Sequence, residues 1–387
     1  MNHFLPSLFF SILLFANFSC NSEHKHREET PLVVPEFTPK FNEVSKKYIL
    51  NKRKFIYPFY NQILGNDRFN GMFLVAKNGK IIFEKVNGYL DYANEKKLKA
   101  TTPIHLASIS KSVTALAIMR LVDKNELTLE DDVRKYLPIF PYKGVTIRML
   151  LTHRSGVPYY GYFADRIWDH SKKMTNQDVL YLLHKHVFPL NFPSGTHFAY
   201  CNTNFALLAL VVEKVTGDKF PKAMQNLVFK PLKMTHSFIL DTPDQINTIS
   251  PSYNSRFQMQ AVDFLDGIYG DKNMYSTARD LLKLDIATYA SDFLSEKSRN
   301  EIYKGYSYEK PGMRNYGLGM RMVEVPNKKP YFFHTGWWHG NTGCYVTLRG
   351  DTVCIIALSN AYTRSVYQVH QLTGMFEGYP FEYKEEE

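Results

Sequence analysis

Apolar and polar positions recur along the chain regularly enough to outline most of its elements. From Gly71 to Gly88, two runs rich in Val, Ile and Phe flank Lys77-Asn78-Gly79-Lys80, and Asn-Gly between such runs predicts a β-hairpin. A helix is expected from about Ser108 to Lys124, where Val113, Leu116, Ala117, Met119 and Leu121 keep helical spacing. Further helices are predicted over Asn176–His186, over Thr203–Val215 with Gly217 ending it, and over Thr277–Ala287 with Ser276 and Thr277 as cap candidates. Strands return at Tyr331–Phe333, Gly343–Leu348 and Thr352–Leu358, with a final helix around Ser365–Phe376. Strands, helices, strands and a helix in this order predict an α+β fold. Its antiparallel sheet is built from both chain ends and flanked by helices, with a mostly helical insertion subdomain.

Composition narrows the class. Of 387 residues, 44% are hydrophobic and 22% charged, enough to bury a large core and to exclude whole-chain disorder or a multi-span membrane protein. The net charge of +10 is spread among tyrosines and acids; its densest patch, Lys96, Lys97 and Lys99, reads as a solvated loop, so no nucleic-acid partner is expected. Four cysteines without a C-x-x-C pair cannot staple a chain of this length. Phe4–Phe18 is an apolar run of 15 residues, short for a membrane span and suited to an export signal. It ends in Ser19-Cys20, which resembles a lipoprotein box cut before Cys20, although the start has no Lys or Arg and Asn17 stands where Leu is preferred. Ordinary secretion or an uncleaved anchor is the alternative. The expected organisation is a signal peptide over 1–19, a polar tether over 20–45, a domain over 46–372 and a tail over 373–387. The protein would be exported to a cell envelope and attached to the membrane through lipidated Cys20.

The chemistry starts from absences. There is no G-x-S-x-G, H-E-x-x-H or P-loop, and His184-Lys185-His186 reads as a wet helix face, so no metal is expected. S-x-x-K occurs three times, starting at Ser22, Ser108 and Ser307, and only Ser108 opens a long apolar helix. There the i, i+3 spacing puts Lys111 beside Ser108, a serine needs a nearby base to become a nucleophile, and the helix start favours a developing anion. A capping Ser108 with a surface Lys111 would read the same way. Tyr200-Cys201-Asn202 follows, with Tyr200 placed to pass protons and Asn202 to hold Lys111 and a substrate carbonyl. His334-Thr335-Gly336-Trp337 then sits on a predicted strand, its glycine where a ligand must approach the backbone.

Taken together in this order, the three elements resemble the serine β-lactamase and penicillin-binding-protein superfamily, in its class C-related branch of esterases and D-aminopeptidases. Supporting phrases are Thr146–Pro158, Pro193–Thr196, Tyr275–Leu281 and Tyr316–Gly319. The resemblance implies a β-lactamase/transpeptidase-like fold and an acyl-enzyme mechanism without metal or organic cofactor. It makes Ser108 the nucleophile, Lys111 and Tyr200 the proton-handling pair, and Asn202, His334, Thr335, Gly336 and Trp337 the substrate-binding set, with Ser108 and Trp337 N–H groups as oxyanion donors. Substrates would be small or peptide-like esters or amides. His334 replaces the lysine of true β-lactamases, which makes penicillin hydrolysis weak at best and suggests a charge present only in acid. Asn273-Met274 replaces a small pair and suggests a narrowed cleft, and Cys201 replaces a serine and reads as buried. Tyr159, Tyr160, Tyr162, Phe163, Trp337 and Trp338 would favour an apolar acyl group if they line the cleft. The alternative is a non-catalytic envelope lipoprotein that keeps the fold to bind a ligand or partner, but Ser108, Lys111, Tyr200 and Gly336 are all intact.

Overall fold

Asn78 and Gly79 take φ of +50° and +72°, the paired positive values that a two-residue hairpin turn demands, and join β1 (Gly71–Lys77) to β2 (Lys80–Asn87). The computed structural model describes residues 37–380 except 38, 66–68, 242–248 and 311. The expected leader, Cys20 and most of the tether lie outside the described residues.

Near the other chain end come the short strands β3 (Arg314–Tyr316) and β4 (Arg321–Val323), then a meander of β5 (Tyr331–Trp338), β6 (Asn341–Leu348) and β7 (Val353–Ser359). All seven strands form one antiparallel sheet in the order β3-β4-β5-β6-β7-β1-β2. The two chain ends meet where Gly71 of β1 lies opposite Ser359 of β7. Both strands are buried on both faces, which is why they read as unbroken apolar runs.

One face of the sheet, with Phe73, Val75, Val346 and Ile355, is covered by α1 (Lys46–Phe59) and by the stretch Ser365–Met375. That last stretch winds as a 3₁₀ helix, and Phe376 and Tyr379 beyond it are buried. The helical subdomain holds α2 (Ser110–Asp123), α3 (Asn176–His186) and α4 (Asn202–Thr216), and α5 (Ala278–Ala287) packs on β1 and β7. Ser110–Met119 of α2 and Thr203–Val212 of α4 are buried without a break, as befits helices apolar on every side that lie at the centre of a layer. Gly217 closes α4 at φ +72°, and Thr277, not Ser276, caps α5. Ser276 instead ends a short strand that pairs with Ile104-His105, just upstream of Ser108.

That pairing fixes the approach to the site. Asn273, at φ +62°, takes a left-handed position that asparagine tolerates better than most residues. Its Nδ2 donates to the carbonyls of Asp266 at 2.7 Å and Ile268 at 2.8 Å, and its Oδ1 accepts from His105 Nε2 at 3.0 Å. His105 Nδ1 in turn accepts the Ala107 N–H at 3.0 Å. Asn273 and Met274 are buried rather than lining a cleft, so the expected narrowing does not occur. Asn273→Ala leaves two buried carbonyls and one imidazole nitrogen without partners and places alanine at positive φ. Urea unfolding should show a loss of about 2–4 kcal/mol; an unchanged midpoint would show that these bonds contribute nothing net.

Candidate active site

Ser108 lies in the 3₁₀ turn Ala107–Ile109, which runs straight into α2. It caps neither element, since neither start has a side-chain cap bond. Its hydroxyl instead accepts from Lys111 Nζ at 3.0 Å. Lys111 has 0% exposure, and its ammonium also donates to the Asp271 carbonyl at 2.9 Å. A surface lysine beside a capping serine is therefore excluded.

Tyr200, just ahead of α4, places its ring 5.0 Å from Lys111 Nζ, and its hydroxyl has no hydrogen-bond partner among the described residues. His153 packs on that ring with centroids 4.3 Å apart. The same imidazole accepts the Cys201 N–H through Nδ1 at 3.1 Å, tying the Tyr200–Asn202 segment to the Thr146–Pro158 region. Asn202 does not bond Lys111; its Oδ1 is a buried acceptor with no partner. The Asp271 carbonyl does the holding expected of Asn202. Cys201 is buried, with burial raising its thiol pKa, and Sγ rests 3.3 Å from the Val157 carbonyl.

The third element comes from β5. β4 pairs with β5 only from Tyr331 to Phe333, so from His334 onward that edge carries no strand among the described residues. Gly336 crosses the nucleophile turn so closely that a Cβ there would sit 2.4 Å from the Leu106 carbonyl and 3.3 Å from the Ser108 nitrogen. Only glycine lets the strand and the turn meet. Thr335 is half-buried, and Trp337 is 64% exposed.

His334 is buried. Its Nε2 meets the Tyr316 hydroxyl at 3.2 Å and its Nδ1 donates to the Thr335 carbonyl at 2.7 Å, partners that fit a neutral ring. Burial first, then the charges of Arg321 and Lys111, holds its pKa well below 6.5. The expected acid-dependent charge at His334 is thus ruled out. The cation there is Arg321 on β4, whose guanidinium lies 4.9 Å from the Tyr200 ring centroid. Its Nε is buried without a partner, and no carboxylate pairs with it among the described residues. It lines a cavity of about 380 Å³ with His197, Phe198, Tyr316, Met322 and Phe333.

The aromatic residues divide. Tyr162 and Trp337 are exposed, while Tyr160 and Phe163 are buried, Phe163 stacking on Phe188 at 4.8 Å. The competing sequence matches are spoken for or lie elsewhere. Tyr92 and Asn94 form a second Y-x-N upstream of Ser108, but Tyr92 donates to Asn70 and Asn94 to Asp91; His184 and His186 are exposed on α3, and Ser22 lies outside the described residues.

A family model described as Beta-lactamase matches residues 59–374. "Penicillin-binding protein 4*" of Bacillus subtilis is 31% identical over 334 residues, covering 82% of this chain and 74% of that protein. Among solved structures, a penicillin-binding protein from Bacillus halodurans aligns with a TM-score of 0.71 at 23% identity, over 86% of this chain and all (100%) of the other. EstCE1, described as a hydrolase with promiscuous acyltransferase activity, aligns at 0.68 and 19% identity, over 83% of this chain and 96% of its own.

Three imidazoles are buried neutral around this site. Burial is the first cause for each, taking His105 down to about 4 and His153 and His334 well below 6.5. The unfolded chain protonates them near 6.5 while the folded chain does not, so stability is full above that value and falls as pH drops below it. Each contributes a slope of up to about 1.4 kcal/mol per pH unit. The depressed carboxylates Asp131, Asp132 and Asp266, at about 2, lose their contribution mainly below about pH 5. Urea-derived stability should therefore decline between pH 6.5 and 4.5, and less steeply in His105→Asn; a flat profile would contradict the burial of neutral histidines.

Proposed function

The chain belongs to the serine β-lactamase and penicillin-binding-protein superfamily and is a serine hydrolase of its class C-related branch, and from that premise we propose that it forms an acyl-enzyme at Ser108 with an ester or amide substrate. The observation that carries this is a fully buried lysine Nζ 3.0 Å from a serine hydroxyl at a helix start. In its neutral form Lys111 takes the hydroxyl proton along that contact as Oγ attacks the carbonyl carbon. As the bond from the carbonyl carbon to the leaving group breaks, the free hydroxyl of Tyr200 gives its proton to the leaving group and takes back the one held by Lys111. The N–H groups of Ser108 and Trp337 receive the developing oxyanion, each worth on the order of 3 kcal/mol. Water then attacks the acyl-serine carbonyl, giving its proton to the Lys111–Tyr200 pair, which returns it to Ser108 Oγ as the ester bond breaks and the acid leaves. No step needs a metal or organic cofactor.

The substrate is an ester or amide of carboxylesterase or D-amino-acid peptidase type that carries an anion near the scissile bond. Arg321 supports that choice: an unpaired guanidinium in a cavity beside Tyr200 is a ready partner for a carboxylate. β-Lactam hydrolysis is weak, since the β5 motif position supplies a neutral imidazole. We also propose export, with Cys20 lipidated and anchoring the protein to the envelope membrane.

A fluorophosphonate probe should label Ser108, and Ser108→Ala should lose labelling and nitrophenyl-ester turnover while melting like the wild type. Tyr200→Phe should lower kcat by about 10²–10⁴. Turnover surviving in Ser108→Ala, or a Tyr200→Phe effect confined to KM, would remove the assigned role.

Arg321→Gln should lower kcat/KM for a carboxylate-bearing ester by about 10- to 100-fold, the value of a charged hydrogen bond, and leave a matched neutral ester within about twofold. Because arginine does not titrate, the wild-type ratio for the two esters should stay level from pH 5.5 to 8.5. Equal losses on both esters would show that Arg321 supports the fold rather than selecting the substrate.

A further inference from the structure

Beneath the catalytic pair lies a sealed ion pair that no step above uses. Asp271 and Lys272 have side-chain exposures of 0% and 3%, with Nζ 3.6 Å from Oδ2. Tyr160 joins them: its hydroxyl donates to Asp271 Oδ2 at 2.7 Å and accepts from Lys272 Nζ at 2.7 Å. The Lys272 ammonium also lies 4.8 Å from the centroid of Trp338, the residue after Trp337 on β5. Asp271 Oδ1 is buried with no partner. The carbonyl of this same Asp271 receives Lys111 Nζ at 2.9 Å.

Such a pair is a poor device for stability, because desolvating two ions offsets most of their attraction. Burial acts first on Lys272 and lowers its pKa; Asp271 and Asp266 oppose that, and Lys111 adds to it. A lone carboxylate in this place would be worse for catalysis than none. It would hold Lys111 in its charged form, and a charged amine cannot accept the Ser108 proton. We propose that Lys272, through Tyr160, cancels the Asp271 charge, so that the Asp271 peptide carbonyl positions Lys111 while its carboxylate leaves Lys111 free to act as a base. The inference rests on Lys111 being the proton acceptor. Lys272, Tyr160 and Asp271 are positioning residues.

The other groups facing Lys111 do not supply this balance. Ser108 comes from its own turn, Tyr200 and Cys201 from the start of α4, His153 from the Thr146–Pro158 region, His334 from β5 and Arg321 from β4. The two histidines are held neutral and the Cys201 thiol is pushed towards its neutral form. Arg321 is a fixed cation, common to every variant below.

The test is the acid limb of kcat/KM against pH for a neutral nitrophenyl ester, measured on the full chain. Lys272→Met uncovers the carboxylate, and the limb should move up by about one pH unit, the lower end of what a nearby opposite charge does to an amine. Asp271→Asn leaves the Lys272 cation uncompensated, and the limb should move down by a similar amount. The double variant removes both charges and should return to within about 0.3 unit of wild type. Lys272→Arg keeps the charge and should keep the limb. A purely structural pair predicts that each single variant loses stability and the double variant regains it, with no opposed movement of the limbs.

Limbs that move together or not at all, or a Lys272→Arg profile like that of Lys272→Met, would overturn the proposal. If Lys272→Met does not fold, Asp271→Asn and the double variant decide it by whether the downward shift is reversed. Probe labelling of wild-type Ser108 separates the two levels. An unlabelled Ser108 defeats the acyl-enzyme reading, while a labelled one with unmoved limbs defeats only this inference.

Discussion

A lysine ammonium with no exposure must find its partners inside the protein, and the arrangement around Lys111 follows from that requirement. Its helix, α2, is buried along Ser110–Met119, so water cannot complete the shell. Two acceptors do so from different stretches of chain: the Ser108 hydroxyl one turn back and the Asp271 carbonyl 160 residues on. Each acceptor must itself be held. Ser108 is left free of capping because a 3₁₀ turn carries the chain into α2, and Asp271 is fixed by its carboxylate on Tyr160. Holding the lysine and placing it against the serine are therefore one set of contacts.

The tripeptide Asp271-Lys272-Asn273 shows how a short segment serves three places at once. Asp271 turns its carbonyl to Lys111, Lys272 reaches Tyr160 and the Trp338 ring, and Asn273 goes to His105 and through it to Ala107. Ala107, held at φ +47° beside Ser108, is a strained conformation for alanine and persists because these neighbours over-determine it. Gly336 closes the set from the opposite side, since nothing larger fits between β5 and the Leu106 carbonyl. Ser108, Lys111 and Gly336 are thus held by contacts that meet within one turn.

Periodicity and turn chemistry made much of the fold legible. Asn78-Gly79 marked its hairpin, Asn176–His186 its helix, and Gly217 the end of α4, because each depends on local backbone preferences. The last helix was legible in place but not in type, as its 3₁₀ winding depends on packing against the sheet. Ser108, Lys111 and Tyr200 could be picked out because their spacing and context carry the chemistry, and the structure brings all three together. Asp271 could not, since it holds Lys111 with a carbonyl that any residue possesses. Asn273 was misjudged for a related reason, and the place of Tyr160 was left open. A bulky polar or aromatic residue beside a motif reads as cleft lining until its burial is known.

The charge near the nucleophile shows the limit of reading a motif by residue type. At the β5 position a lysine and a histidine look like a permanent and a conditional cation, yet burial and the nearby positive groups leave His334 with no charge to offer. Arg321, on the neighbouring strand and opposite Phe333, stands over the Tyr200 ring in its stead. Two full cations flanking that tyrosine would repel each other as well as Lys111, so an arginine on β4 is compatible with a neutral residue on β5 and unfavourable with a lysine there. The positive charge in this chain therefore stands one strand outward of β5, over the Tyr200 ring and in the wall of the adjoining cavity.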